Sequence, residues 1–248
     1  MSTGSSQRLQ DTDLPLAGKV ALVTGGSRGI GRAIASRLTR LGVDVAVCAR
    51  NRDEIERAAA PLRQGGRKIL PIVADVTRAD DVHRMIEQTC RELGEIEILV
   101  NNAGAGRFGP FYELCDSDWD AVVNTNLKAV FLTSRVAAPR MIRLGRGHII
   151  NISSLASKSA FAGGAIYCAS KWGLMGLSSC MAEDLRAHGI RVSVVCPGSV
   201  ATGFSSHAGR STTNLLQPED VAYAVETLLT QSEQSFISEI DVRPLRKS

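Results

Sequence analysis

The chain has 248 residues, 44% hydrophobic and 22% charged, a balance that excludes fibrous and low-complexity classes. Its formal charge of +4 is spread without a basic block, which excludes an electrostatic footprint for nucleic acid. No apolar run approaches the ~18–20 residues that a membrane span requires. The first fifteen residues, MSTGSSQRLQDTDLP, are polar and lack the apolar stretch of a signal peptide, so they are expected to form a disordered tail. A single domain over 16–248 in the cytoplasm is the corresponding expectation. The six cysteines contain no C-x-x-C pair, and the four histidines lie far apart, so no structural metal is expected.

In chain order, Lys19–Thr24 is a short apolar run rich in β-branched residues, which predicts a strand buried on both faces. A glycine-rich turn follows, then a helix over Arg32–Leu41 that Gly42 ends. Val43–Ala49 predicts a second strand, and Arg52–Gln64 a helix closed by Gly65 and Gly66. The alternation continues with a strand at Ile69–Ala74, a helix at Asp80–Leu93 and a strand at Ile96–Val100. A long helix over Ser117–Leu144 leads to a strand at His148–Ile152, then a helix over Ala165–His188 and a strand at Ile190–Cys196. Pro218 opens a last helix at a first-turn position, and Phe236–Val242 closes the series as a strand. Strands alternating with helices of a dozen residues predict right-handed crossovers and a parallel sheet of seven strands, an α/β architecture with helices on both faces.

The turn Thr24-Gly25-Gly26-Ser27-Arg28-Gly29-Ile30-Gly31 lies between the first strand and the first helix. Glycines there allow a sharp turn and the close approach of a pyrophosphate, and the helix N-terminus offers unpaired N–H groups to the anion. A tight turn alone would use the same glycines; the strand before and the helix after favour the phosphate reading. The second strand ends Cys48-Ala49-Arg50, with no acid to accept from a ribose until Asp53. Arg50 and Arg28 would hold a 2′-phosphate instead, unless both are ordinary surface charge.

Tyr167 and Lys171 stand four residues apart, on one face of a helix. An ammonium near a phenol favours phenolate and lowers its pKa, which makes Tyr167 a candidate proton donor or acceptor for a carbonyl/alcohol pair. Ser153 and Ser154 follow the preceding strand, where open α/β sheets bind ligands. Phe108, Phe111, Phe161 and Phe204 fall in loops at that edge, where an apolar pocket would form. Trp119 and Trp172 read as core or subunit contacts, Cys168 as packing, and His207 as a solvated residue of the loop before Pro218.

The chain from about Leu16 to Val242 resembles a short-chain dehydrogenase/reductase of the single-domain type. The motifs that carry the resemblance are Thr24-Gly25…Gly29-Ile30-Gly31, Asp75-Val76 and Asn101-Asn102-Ala103-Gly104. They continue with Asn126, Ser153-Ser154, Tyr167, Lys171, and Pro197-Gly198 with Val200 and Thr202. The resemblance implies a Rossmann-type doubly wound fold and hydride transfer to or from a nicotinamide, with NADP(H) preferred over NAD(H). It assigns the proton donor to Tyr167, the nicotinamide ribose to Lys171, substrate polarisation to Ser154 and a relay water to Asn126. Spacing favours Ser154 over Ser153. Gly25, Ser27, Arg28, Gly29, Ile30, Gly31, Arg50, Asp75, Val76, Asn102, Ala103, Gly104, Pro197, Gly198, Val200 and Thr202 would line the cofactor. The implied reaction is reduction of a ketone, a 3-oxoacyl thioester being the leading substrate, with free small or hydroxylated ketones as the alternative. A non-catalytic dinucleotide sensor is the reading outside enzymology. A homodimer or homotetramer is implied, the two long helices pairing through Trp172, Leu174 or Leu177. Two features depart from the family pattern. Only fifteen residues separate Thr202 from Pro218, and the C-terminus lacks a V-x-G-G ending.

Overall fold

The computed structural model describes residues 14–204 and 214–246. The first thirteen residues of the expected tail, and His207, lie outside the described residues. The last two tail residues are ordered. Leu14 packs against Gly42, and the Leu14 carbonyl accepts from Ala17 N–H at 3.1 Å.

The elements run β1 (Val20–Thr24), α1 (Gly29–Arg40), β2 (Asp44–Ala49), α2 (Arg52–Leu62), β3 (Ile69–Val73), α3 (Ala79–Glu92) and β4 (Ile98–Asn101). They continue with α4 (Asp116–Val123), α5 (Ala129–Leu144), β5 (Gly147–Ile152), α6 (Ala165–Arg186), β6 (Ile190–Pro197), α7 (Pro218–Leu229) and β7 (Glu239–Val242). All seven strands are parallel in one sheet, in the order β3-β2-β1-β4-β5-β6-β7. The alternation within β1 shows why the sheet is covered twice. Ala21 and Val23 face a core formed with α1, α2 and α7, while Val20 and Leu22 face a second core with α3, α5 and α6. The order reverses between β1 and β4, and the crevice beyond their carboxyl ends is where such sheets hold ligands.

Most expected elements appear within a few residues, the larger differences being the early start of α1 at Gly29 and the late start of β7 at Glu239. The expected single helix over Ser117–Leu144 is interrupted. Asn124–Lys128 form a π-helical turn between α4 and α5. The wider turn coincides with the site where Asn126 is tied to the loop after β4, the kind of functional placement in which such bulges concentrate.

His148 on β5 is buried, and its Nε2–H donates to Ser193 Oγ at 2.8 Å, because Ser193 Oγ itself donates to the Ile237 carbonyl. Burial pushes the imidazole down to about 3, with the nearby Arg191 charge acting in the same direction. Between pH 6.5 and about 3 the unfolded chain binds a proton that the folded one refuses, so this group's contribution is lost as pH falls through that window. The expected slope is about 1.4 kcal/mol per pH unit. Urea midpoints should fall less steeply over that window in His148→Gln than in the parent. Parallel slopes would refute the assignment.

Candidate active site

The turn after β1 begins the site. Gly25 (φ +67°) and Gly29 (φ +52°) adopt left-handed conformations that favour glycine. A Cβ on Gly31 would stand 2.2 Å from the Gly25 carbonyl oxygen, so only glycine lets α1 start this close to the turn. Gly26 N–H donates to the Cys48 carbonyl at 3.0 Å, binding the turn to the end of β2. Arg28 occupies the N-cap without a side-chain cap, and the first turn of α1 carries no acid. That leaves a helix N-terminus suited to an anion, with Ser27 and Ile30 half-buried around it. Arg28 and Arg50 are both exposed, and neither forms an ion pair among the described residues. This donor set fits the pyrophosphate and 2′-phosphate of an NADP-type dinucleotide.

Around the crevice the other expected contacts assemble. Asn102 Nδ2 donates to the Thr24 and Gly25 carbonyls at 2.9 and 3.2 Å, and the amides of Asn102 and Ala103 donate to Thr24 Oγ1. Asn102 is therefore a clamp on the glycine turn. Gly104 lies near Asn126 Oδ1 and the Phe204 ring. Asp75 accepts from Thr77 N–H and Oγ1 at 3.0 and 2.8 Å, and Val76 is buried beneath it. Pro197 ends β6, Gly198 N–H donates to the Val242 carbonyl, and Val200 bridges to Leu216. This brings Thr202 to the glycine turn, where its Cγ2 is 3.1 Å from the position of a Cβ on Gly29.

The reactive side lies beyond β5 and on α6. Ser154 Oγ accepts from Ala156 N–H at 3.1 Å, and its side chain stands near enough to the Tyr167 phenol to favour the phenolate. Ser153 Oγ is buried and without a hydrogen-bond partner among the described residues. Lys171 is buried one turn after Tyr167, its Nζ donating to the Ile152 carbonyl at 2.8 Å and lying 5.8 Å from the phenol ring centroid. Burial lowers the ammonium to about 8, so it is still mostly protonated at pH 7.

One expectation needs correction. Lys171 does not bring the phenol toward neutrality: burial holds Tyr167 above its ordinary value, and only the nearby Ser154 side chain opposes this. The ammonium is aimed at the Ile152 carbonyl instead. The Asn126 side chain is held at both ends. Its Oδ1 accepts from Ala105 N–H at 2.8 Å, while Nδ2 donates to the Ala105 carbonyl and to Ser170 Oγ at 2.9 and 3.0 Å. Ser170 Oγ in turn donates to the Tyr167 carbonyl at 2.7 Å, so Asn126 is linked to the phenol's own residue.

Sequence reasoning passed over a buried polar network beneath the site. Asn101 Nδ2 donates to Asn151 Oδ1 at 2.9 Å, Thr133 Oγ1 donates to Asn101 Oδ1, and Asn151 Nδ2 donates to Ser178 Oγ. Polar residues within otherwise apolar strands were the available signal. Cys196, Glu239 and Asp241 also meet, but the Lys158 ammonium already pairs with both carboxylates.

Comparison with known proteins follows the same geometry. The model of the short chain dehydrogenase family matches residues 19–212. An uncharacterized oxidoreductase of Staphylococcus aureus (strain MRSA252) is 31% identical over 230 residues, covering 93% of this chain and 99% of that protein. A glycine betaine reductase of Emericella nidulans is 35% identical over 240 residues, 93% of this chain but 19% of the longer protein. Among solved structures, a metagenomic short-chain oxidoreductase in complex with NADP has 42% identity and a TM-score of 0.83, covering 94% of this chain and 100% of that one. An alcohol dehydrogenase from the archaeon Thermococcus sibiricus, complexed with 5-hydroxy-NADP, has 29% identity and a TM-score of 0.87 over 93% of this chain and 98% of that one. With sequence, sheet order and relatives in agreement, the chain belongs to the short-chain dehydrogenase/reductase family and is an NAD(P)-dependent oxidoreductase.

Proposed function

We propose that this enzyme reduces a ketone to a secondary alcohol with NADPH, and runs the reverse oxidation when alcohol is in excess. The observation that carries the reading is the buried Lys171 ammonium one helical turn from Tyr167, 5.8 Å from the phenol ring, with Ser154 just past the end of β5 beside them and the glycine turn across the crevice. The bound nicotinamide supplies the hydride. Ser154 holds the substrate oxygen, and Tyr167 gives it a proton as charge develops there. A phenol held above its ordinary pKa is protonated at neutral pH, as a donor must be. Lys171 keeps two N–H donors beyond its bond to Ile152, which suit ribose hydroxyls. Asn126 acts as a positioning residue, through Ala105 and Ser170. A dinucleotide sensor would need none of Ser154, Tyr167 and Lys171. Preference for NADPH is supported by Arg28, Arg50 and the absence of an acid at Ala49. A 3-oxoacyl thioester or a free ketone both meet these requirements. NADPH oxidation followed against a panel of carbonyl compounds tests the reading, and a panel with no turnover would overturn it.

Six unpaired cysteines support a reducing, cytoplasmic setting. No helix among the described residues is long and apolar enough to cross a membrane. Assembly as a homo-oligomer is supported by Trp119, Phe131, Ile142 and Trp172, whose side chains stand exposed on the outward faces of α4, α5 and α6. Leu174, expected at that contact, is instead buried within the subunit. Sedimentation at micromolar concentration should give a dimer or larger species, with Phe131→Glu shifting it toward monomer. A monomeric parent would contradict this assembly.

A further inference from the structure

The side chains beside Tyr167 are aromatic. The Phe108 ring lies 5.5 Å from the Tyr167 ring, Phe204 lies 5.9 Å from it, and Phe161 stands 6.2 Å from Phe108. All three phenylalanines are about half exposed, at 45%, 43% and 50% for Phe108, Phe204 and Phe161. Glycines make room for two of these rings. A Cβ on Gly106 would stand 2.7 Å from the Phe108 ring, and one on Gly164 would stand 2.6 Å from the Phe161 ring. The loops that carry Phe108 and Phe161 are tied together, Gly109 N–H donating to the Gly163 carbonyl at 3.0 Å. Open ring surface gathered around one proton donor gains most from an occupant that is itself flat and apolar.

Among the described residues, the charges on the Phe108 side of the crevice disfavour a polyanion. Residues 107–120, continuing from the Phe108 loop, hold Glu113, Asp116, Asp118 and Asp120 against a single cation, Arg107, which pairs with Asp118 at 3.3 Å. Lys158, at the start of the Phe161 loop, is already paired with Glu239 and Asp241. A thioester carrying a phosphorylated nucleotide would meet repulsion here.

We infer that the substrate is a neutral aryl ketone, its ring held among Phe108, Phe161 and Phe204 with its carbonyl at Ser154 and Tyr167. The inference rests on the ketone-reductase reading of the same site. With NADPH supplying the hydride to the carbonyl carbon, Tyr167 would give its proton to the oxygen and the resulting phenolate would take one back from solvent. The products are a secondary alcohol and NADP⁺.

A matched pair of esters tests it. Ethyl benzoylacetate and ethyl acetoacetate differ only in carrying phenyl or methyl beside the ketone, and acetoacetyl-coenzyme A supplies the polyanionic arm. Two ring–ring contacts should favour the benzoyl ester over the acetyl one by about 10-fold in kcat/KM. Phe108→Ala, and Phe108→Leu as the variant that keeps apolar bulk, should each remove most of that ratio. The readout is the ratio of the two esters within each enzyme, which a general loss of rate leaves unmoved. Acetoacetyl-coenzyme A should be the poorest of the three. Equal ratios in parent and variants, or a preference for the coenzyme A thioester, would overturn the aryl assignment. If ethyl acetoacetate is turned over in a Tyr167-dependent way with no benzoyl preference, only this inference falls. If no ketone consumes NADPH, the reductase reading falls with it.

Discussion

Tyr167→Phe is expected to lower kcat by roughly 10²–10⁴-fold while leaving NADPH affinity nearly unchanged. The substitution removes one hydroxyl and keeps the ring that packs between Phe108 and Phe204, so the pocket walls stay in place. Lys171→Ala should weaken turnover and cofactor binding together, because its ammonium is proposed to serve ribose and because the Ile152 carbonyl loses its donor. Steady-state kinetics and a fluorescence titration with NADPH separate the two effects. A Tyr167→Phe enzyme retaining more than a tenth of the parent rate would remove the phenol from the chemistry.

Cofactor choice is the second large effect. The 2′-phosphate of NADPH carries close to two negative charges, and two guanidinium groups can each offer forked N–H donors to it. Preference for NADPH over NADH should therefore reach about 10²–10³-fold in kcat/KM, nearer the lower end because Arg28 and Arg50 are exposed to solvent. Ala49 ends β2 beside the crevice, so the double change Ala49→Asp, Arg50→Ala places a ribose acceptor where it also repels the phosphate. That variant should swing toward NADH. A parent enzyme that used NADH equally well would return both arginines to ordinary surface charge.

Much of the architecture could be read from the chain because both sheet faces are covered. Runs such as Val20–Thr24 and Ile190–Cys196 are then apolar at almost every position, and glycines such as Gly42 mark the helix ends. Tyr167 and Lys171 stood out because one helical turn fixes their relation whatever the rest of the chain does. The features that escaped depend on approach between distant segments. The π turn at Asn124–Lys128 and the two hydrogen bonds between Asn126 and Ala105 appear only once the loop after β4 is set against the helix. The same holds for the direction of the Lys171 ammonium, which is decided by a carbonyl on β5. Leu174 read as a surface residue because helical spacing does not say which neighbouring strand a face will meet.

The place of β1 in the sheet also governs how the molecule can be made. Its first partner, β2, follows at once, but its other neighbour is β4, with Ala21 paired to Ile98. During synthesis, β1, β2 and β3 can associate while the second edge of β1 still presents an unpaired row of N–H and C=O groups between apolar faces. The crevice between β1 and β4 closes only after that long loop does, and Tyr167 and Lys171 emerge from the ribosome later still. Long-range parallel pairing of this kind slows folding relative to local structure. The ordering of the strands thus makes the ligand crevice one of the last features to be completed, and leaves the half-made chain prone to aggregation until β4 arrives.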